Sequence, residues 1–275
     1  MTEGYIMNNT DKKYELLTND TIEVDGNLLY RIRALRDFGN VKKGDLGGYI
    51  QSESNLSHEG SCWVYNDAQV YGNARVCEDA RVYDNAQVYG YAIITGYAHI
   101  YGYAKVYDYA TIQGEAVVGD HARVLDNSSV FQEASVLGRA TVNNRARVYG
   151  KAYVDNDAQI YGDAILRGTS KVLDISRVYE DAVIQGNAVL SNAVIGKYGY
   201  VSSNKDYKVS ERRLDGYHVT LYNTREPEGV YMSHDDFINS VDLYKQVLID
   251  TCCTPDRVEY MNERLNYIDN LKETM

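Results

Sequence analysis

The chain has 275 residues and a formal charge of −11, with 27 Tyr against 3 Phe, 22 Gly, 2 Pro and 4 Cys. An apolar share of 44% beside 24% charged residues excludes a disordered chain, and acidity spread along the whole length excludes a basic nucleic-acid footprint. No run approaches the roughly 18 apolar residues of a membrane span, and Met1 to Thr10 lacks the basic-then-apolar order of a signal peptide.

A cytoplasmic protein with no membrane or direct nucleic-acid contact is therefore expected. Cys62, Cys77, Cys252 and Cys253 form neither a zinc spacing nor a secreted disulfide framework, which fits a reducing compartment. The excess of Tyr over Phe points to rings on a surface, because a buried hydroxyl needs a partner.

In chain order, Tyr14 to Leu17 and Thr21 to Leu35 read as strands, with Asp25-Gly26 as a hairpin turn. Ala34 to Ile50 then leads into the repeat through three glycines. A solenoid end exposes apolar interior, so residues 1–61 read as an N-terminal β cap.

From Cys62 to Ala188, stepping by six gives 22 small residues, 18 of them Ala, with Cys62, Ser128, Ser170 and Ser176 as the exceptions. Two residues after each comes an aliphatic side chain in all 22 cases, and four after each comes Gly ten times, Asp or Asn nine times, and otherwise Glu78, Gln132 or Glu180. Small-x-aliphatic puts both side chains on one face of a short strand. Gly, Asp or Asn then supplies the left-handed backbone of a sharp corner.

Three such sides close a coil of 18 residues, and coils stack about 4.8 Å apart. The expected fold is mainly β: a single-stranded left-handed β-helix of about seven coils over 62–196, between the cap and a small C-terminal α+β domain at 197–275. A right-handed helix of the bactofilin type is the alternative. The spacing slips at Ala193. Beyond it, Tyr217 to Asn223 reads as a strand and Glu226 to Gly229 as a turn. A helix is expected from Ser233 with Phe237, Val241, Tyr244 and Leu248 on one side, and a second from Thr254-Pro255 with Val258, Met261, Leu265 and Ile268.

Ala34 to Ile50 (ALRDFGNVKKGDLGGYI), Asn55 to Tyr65 (NLSHEGSCWVY) and the Ala-x-Val-Tyr-Gly-Asn hexads resemble the YdcK-like hexapeptide-repeat proteins of bacteria and their phages. The resemblance implies a left-handed β-helix and frequent carriage near phage genes, and it supplies no known reaction. It covers residues 25–195.

Many hexapeptide proteins are acyltransferases that use a His base in a cleft walled by an extruded loop. The 21 uninterrupted six-residue steps offer no such loop, and His121, beside Asp120 at a corner, is the one weak candidate base. It reads more simply as a solvated corner residue. Two isolated His in the repeat do not make a three-His metal site, so no metal and no cofactor is expected.

Nine Tyr occupy the slot after the buried aliphatic residue, where alternation turns the ring outward. One column holds Tyr71, Tyr89 and Tyr107, and a second Tyr65, Tyr83 and Tyr101. Exposed aromatic area marks interfaces, so these columns are the expected face for self-association, with a trimer favoured on the resemblance, and for a protein partner. A non-catalytic binding or scaffold protein, in a specific form a phage product that engages or blocks a host factor, is the leading function. Arg139, Arg145 and Lys151 at successive corners, with Arg147 between them, form a cationic coil that suggests nucleotide or anionic-ligand binding. Pairing with Asp157 and Asp163 one coil away is the plainer account. Acyl transfer is the remaining alternative.

Overall fold

A computed structural model describes residues 12–209, 219–224, 229–234, 237–241 and 265–273. The chain forms two compact units, Met1–Asn144 and Arg145–Met275. The fold is the hexapeptide-type left-handed β-helix, a parallel β-solenoid.

In the first unit, β1 (Tyr14–Val24) and β2 (Asn27–Ala34) pair antiparallel. The turn between them has Asp25 at φ 49° and Gly26 at φ 76°, the doubly left-handed geometry that suits a tight hairpin. β3 (Leu46–Ile50) pairs antiparallel with β2 and parallel with Gln69–Val70, so one sheet carries the chain from hairpin to solenoid. Gly47 and Gly48 permit this approach. A Cβ on Gly47 would lie 2.6 Å from the Val64 carbonyl oxygen, and one on Gly48 2.4 Å from that of Ala68.

Two-residue strands then repeat every six residues and stack at an 18-residue register. The first sheet continues through Gln69–Val70, Gln87–Val88, Lys105–Val106 and Arg123–Val124. The second runs from Trp63–Val64 through Arg81–Val82 and His99–Ile100 to Val117–Val118. The third runs from Arg75–Val76 through Ile93–Ile94 and Thr111–Ile112 to Ser129–Val130. Backbone N–H groups of one coil donate to carbonyls of the next, as Gln69 N to Ala86 O at 2.9 Å. The small residue of every hexad from Cys62 to Ala188 and the aliphatic residue two positions later, from Val64 to Leu190, point inward and are fully buried, each such aliphatic side chain contributing roughly 1.5–3 kcal/mol.

The corners follow the sequence rule at every step. All 22 residues from Asn66 to Asn192 at six-residue spacing have positive φ. Corner side chains also tie coils together: the Gly96 N–H donates to Glu78 Oε2 at 2.7 Å, and the Gly102 N–H to Asp84 Oδ2 at 3.1 Å.

The cap closes the open end with polar groups that meet otherwise unpaired backbone. Asn55 Nδ2 donates to the carbonyls of Gly72 (3.0 Å) and Ala74 (2.9 Å), and the Tyr14 hydroxyl donates to Leu56 O at 2.7 Å. Lys13 is wholly buried, its ammonium 2.9 Å from Cys62 O and 3.2 Å from Cys62 Sγ, with the Phe38 ring 5.0 Å away.

In the second unit the 18-residue register holds for Arg147 on Ile165, Ile165 on Val183 and Tyr153 on Lys171. It shortens to 17 where Arg177 meets Val194 and Val183 meets Tyr200, which is the slip expected at Ala193. Strands Tyr207–Val209, Val219–Thr224, Gly229–His234 and Phe237–Ser240 form an antiparallel sheet. The Thr220 hydroxyl accepts the Val194 N–H at 3.0 Å, and the Ser233 hydroxyl donates to Val194 O.

The expected helix does not start at Ser233. Ser233 lies in a strand and spends its hydroxyl on Val194, Phe237–Ser240 is a further strand, and Val241 is helical as the last described residue before 265. Residues 265–273 are helical, and Ile268 and Leu271 pack with Leu221, Met232 and Val241. Tyr244, Leu248, Thr254-Pro255, Val258, Met261, Cys252 and Cys253 lie outside the described residues.

Candidate functional site: the outward faces of the solenoid

An outward residue of a solenoid strand closes no coil, so its environment depends on what lies over it. Over the first sheet lies the chain's own hairpin. Tyr71 is 4% exposed and packs with Leu29 and Tyr49, with Ile22, Val24 and Tyr89 against them. Its hydroxyl donates to Asp25 Oδ2 at 3.0 Å. The expectation that Tyr71 offers a free face is thereby corrected: the amphipathic β1–β2 hairpin supplies the apolar cover.

The column itself is real. Tyr71 stacks on Tyr89 at 5.0 Å and Tyr89 on Tyr107 at 4.8 Å, within 8° of parallel. Burial, then the Tyr107 and Asp108 charges, pushes the Tyr89 hydroxyl up to about 12. Tyr107 remains partly exposed beyond the hairpin.

On the second sheet Tyr65 stacks on Tyr83 at 4.8 Å and donates its hydroxyl to Asn40 Oδ1 at 2.8 Å. The Tyr101 ring lies over Gly119, where a Cβ would come within 2.2 Å of it. The Tyr83 hydroxyl is 3.4 Å from His99 Nδ1. Burial, and secondarily the Arg81 charge, holds His99 below the ordinary histidine value. His121, by contrast, stands exposed with its ring stacked 5.1 Å from that of Tyr103. Within the repeat, His99 is therefore an imidazole biased toward its neutral form and set against Tyr83. The sequence shows it only as an outward residue between Tyr83 and Tyr101.

The third sheet of this unit is bare. Arg75 stands exposed at its start, paired with Ile93, and the outward residues from Ile93 through Thr95, Thr111, Gln113 and Ser129 to Phe131 carry no charge. At its corners stand Tyr91 (52% exposed), Tyr97 (61%) and Tyr109 (58%), with Ile93 between them. Tyr91 stacks on Tyr109 at 4.9 Å.

Of the expected cationic coil, Arg139 belongs to the first unit and Arg145, Arg147 and Lys151 to the second. Arg145 pairs with Asp163 at 2.6 Å, as the plainer account required. Among the described residues no group of three or more His, Cys, Asp or Glu could hold a metal, and no helix is long and apolar enough to cross a membrane.

A family model described as the YdcK beta solenoid repeat matches residues 68–84, the span of the Gln69–Val70, Arg75–Val76 and Arg81–Val82 strands and the corners at Gly72, Glu78 and Asp84. That stretch of the solenoid is similar to the YdcK repeat. A protein named uncharacterized acetyltransferase YdcK, from Escherichia coli (strain K12), is 46% identical over 39 residues, 14% of this chain. The matched stretch spans 12% of that relative's length.

Proposed function

We propose that the protein is a non-catalytic binding solenoid that self-associates through the bare third sheet of its first unit and there presents or completes a surface for a protein partner. One observation carries this reading. Tyr91, Ile93, Tyr97 and Tyr109 are exposed large apolar side chains gathered on or beside a face whose outward strand residues from Ile93 to Phe131 are uncharged, whereas the tyrosine column on the first sheet is partly covered by the hairpin. At −11 overall, two copies repel least where neither presents charge. Four such side chains at these exposures offer on the order of 400–500 Å², half or more of the about 800 Å² per partner of a standard interface.

The solution mass tests it. The wild type is expected at a multiple of 31.1 kDa, a trimer on the resemblance to other hexapeptide proteins. Ile93→Glu with Tyr109→Glu should return it to the monomer mass. A monomeric wild type, or an unchanged mass in the double variant, overturns the reading. Kinship in the repeat with phage-carried proteins makes a host protein the partner to seek by capture on wild type and variant.

A second reading is acyl transfer, after the printed name of the Escherichia coli relative. His99, kept neutral by burial and 3.4 Å from the Tyr83 hydroxyl, is the residue that favours it, because a general base must be unprotonated at working pH. Acetyl transfer from acetyl-CoA to a panel of amines that His99→Asn abolishes would support it. Equal turnover by His99→Asn would remove it.

A further inference from the structure

One cation in the second unit is held by neutral groups alone. Arg167 Nε and Nη2 donate to the single amide oxygen of Gln185, at 2.9 and 2.6 Å, and Nη1 lies 3.5 Å from the Tyr149 hydroxyl. Gln185 is itself oriented, its Nε2 donating to the Tyr200 hydroxyl. Tyr149, Arg167 and Gln185 thus form a ladder at 18-residue steps, with Tyr200 beneath. No carboxylate among the described residues pairs with Arg167.

Guanidinium geometry then decides what remains available. Gln185 occupies the edge shared by Nε and Nη2. The opposite edge, shared by Nη1 and Nη2, meets only the neutral Tyr149 hydroxyl at a long 3.5 Å from Nη1, a contact that a phosphate or carboxylate taking that edge bidentately would replace. The side chain is already oriented, so binding costs less rotamer entropy than for a loose arginine.

Two further observations fall at the same place. Arg147 is the outward residue paired with Ile165, two positions before Arg167, so the two cations are diagonal neighbours about 8 Å apart at Cα by strand spacing. Among the described residues Arg147 has no hydrogen-bond or ion-pair partner. Beside the ladder, the corner positions Gly150, Gly168 and Gly186 stack with φ of 75°, 74° and 61°. A Cβ at Gly150 or Gly168 would meet the next coil's backbone at 2.9 Å. No side chain therefore rises from this corner column to shade Arg167. The outward residues of this sheet, Arg147, Tyr149, Ile165, Arg167, Val183, Gln185 and Tyr200, include no acid, on a chain of charge −11.

We propose that Arg167, braced by Gln185 and Tyr149 and assisted by Arg147, is a binding site for the phosphate groups of a small molecule, of the diphosphate-ester class. One phosphate takes the open edge of Arg167 and the other reaches Arg147.

Calorimetric titration of the full chain at low ionic strength, with inorganic pyrophosphate and separately with a nucleoside diphosphate, tests it. Saturable binding is expected for the wild type. Arg167→Gln should weaken it by about tenfold or more. Gln185→Glu should weaken it as strongly, because a carboxylate on the braced edge neutralises the guanidinium while retaining its orientation. The melting temperature of each variant reports that the solenoid is intact. Equal affinity for the two ligands assigns recognition to the phosphates, and tighter nucleotide binding adds a ring contact at Tyr149 or Tyr200; either supports the site. No saturable heat at millimolar ligand, or unchanged affinity in folded Arg167→Gln, overturns it.

Discussion

Gly96→Ala puts the corner rule to a quantitative test. Gly96 sits at φ 70°, and a Cβ there would lie 2.7 Å from Gly114 N and 2.8 Å from Gly114 O. The left-handed backbone costs an L-residue roughly 1–2 kcal/mol. The obstructing atoms are backbone of the next coil and cannot swing aside, which adds about 1–3 kcal/mol of overpacking. Alanine returns about 0.4–1 kcal/mol by stiffening the unfolded chain. The net loss is about 1–4.5 kcal/mol, which for a chain of this size lowers the melting temperature by roughly 2–18 °C in circular dichroism. Glu180 has the opposite problem, a long L-side chain at φ 52°, so Glu180→Gly should raise stability by about 1 kcal/mol. Glu78→Gly should gain nothing, because it forfeits the 2.7 Å bond to the Gly96 N–H, itself worth about 1.5–3 kcal/mol as a bond to a charged group. A melting temperature for Gly96→Ala equal to wild type, or a loss in Glu180→Gly, would refute the corner argument.

Tyr71 and Tyr91 share a residue type and differ in cover, so thermal melts should separate them: Tyr71→Ala costs about 3 kcal/mol or more, and Tyr91→Ala stays within about 0.5 kcal/mol. Lys13→Ala leaves carbonyls around Cys62 without their donor and should cost about 2–4 kcal/mol, read as earlier proteolysis at the cap. His58 stacks on Tyr14 at 4.4 Å and accepts the Lys13 N–H at Nδ1, and burial holds it below its ordinary value against the pull of Glu53. The folded state thus prefers the neutral ring. Stability from this group is present above the unfolded value of about 6.5 and is lost as pH falls through it toward the lowered folded value. Melting temperatures taken from pH about 7 down to 5 should decline more steeply in wild type than in His58→Gln, and parallel curves would discard this assignment.

The solenoid was legible because each slot of the hexad answers one local demand. Ala and Val fill a narrow interior, and Gly, Asp or Asn takes a left-handed corner; even the slip at Ala193 reappears as a register of 17. The hairpin turn at Asp25-Gly26 was equally local. What stayed hidden depended on partners distant in sequence. Ile22, Val24 and Leu29 alternate visibly, yet nothing in that alternation says they lie over Tyr71. Ser233 carries a helix-start signal, but Val194 O takes its hydroxyl and the segment remains a strand. Arg167 was overlooked among the cations because its distinction is the neutrality of Tyr149 and Gln185, each 18 residues away. Reading the outward slots as columns shows that ladder directly.

Outward slots are the one part of such a chain that the coil leaves free, and their contents therefore say most about what the protein meets. An acidic chain could place Glu or Lys at 93 and 131 with no penalty to the coil, since neither side chain contributes to the interior. It places Ile93 and Phe131 there instead, and sets Tyr91, Tyr97 and Tyr109 at the adjoining corners with more than half of each exposed. Where similar rings sit under the hairpin, burial of Tyr71 explains their presence without any partner. Among the described residues, none covers Tyr91, Ile93, Tyr97 and Tyr109 in that way. If Ile93→Glu leaves both the melting temperature and the solution mass unchanged, that apolar residue serves neither stability nor assembly through the strip. If the mass alone changes, the face is an interface, and the hairpin-covered column shows how the same repeat builds cover from its own chain.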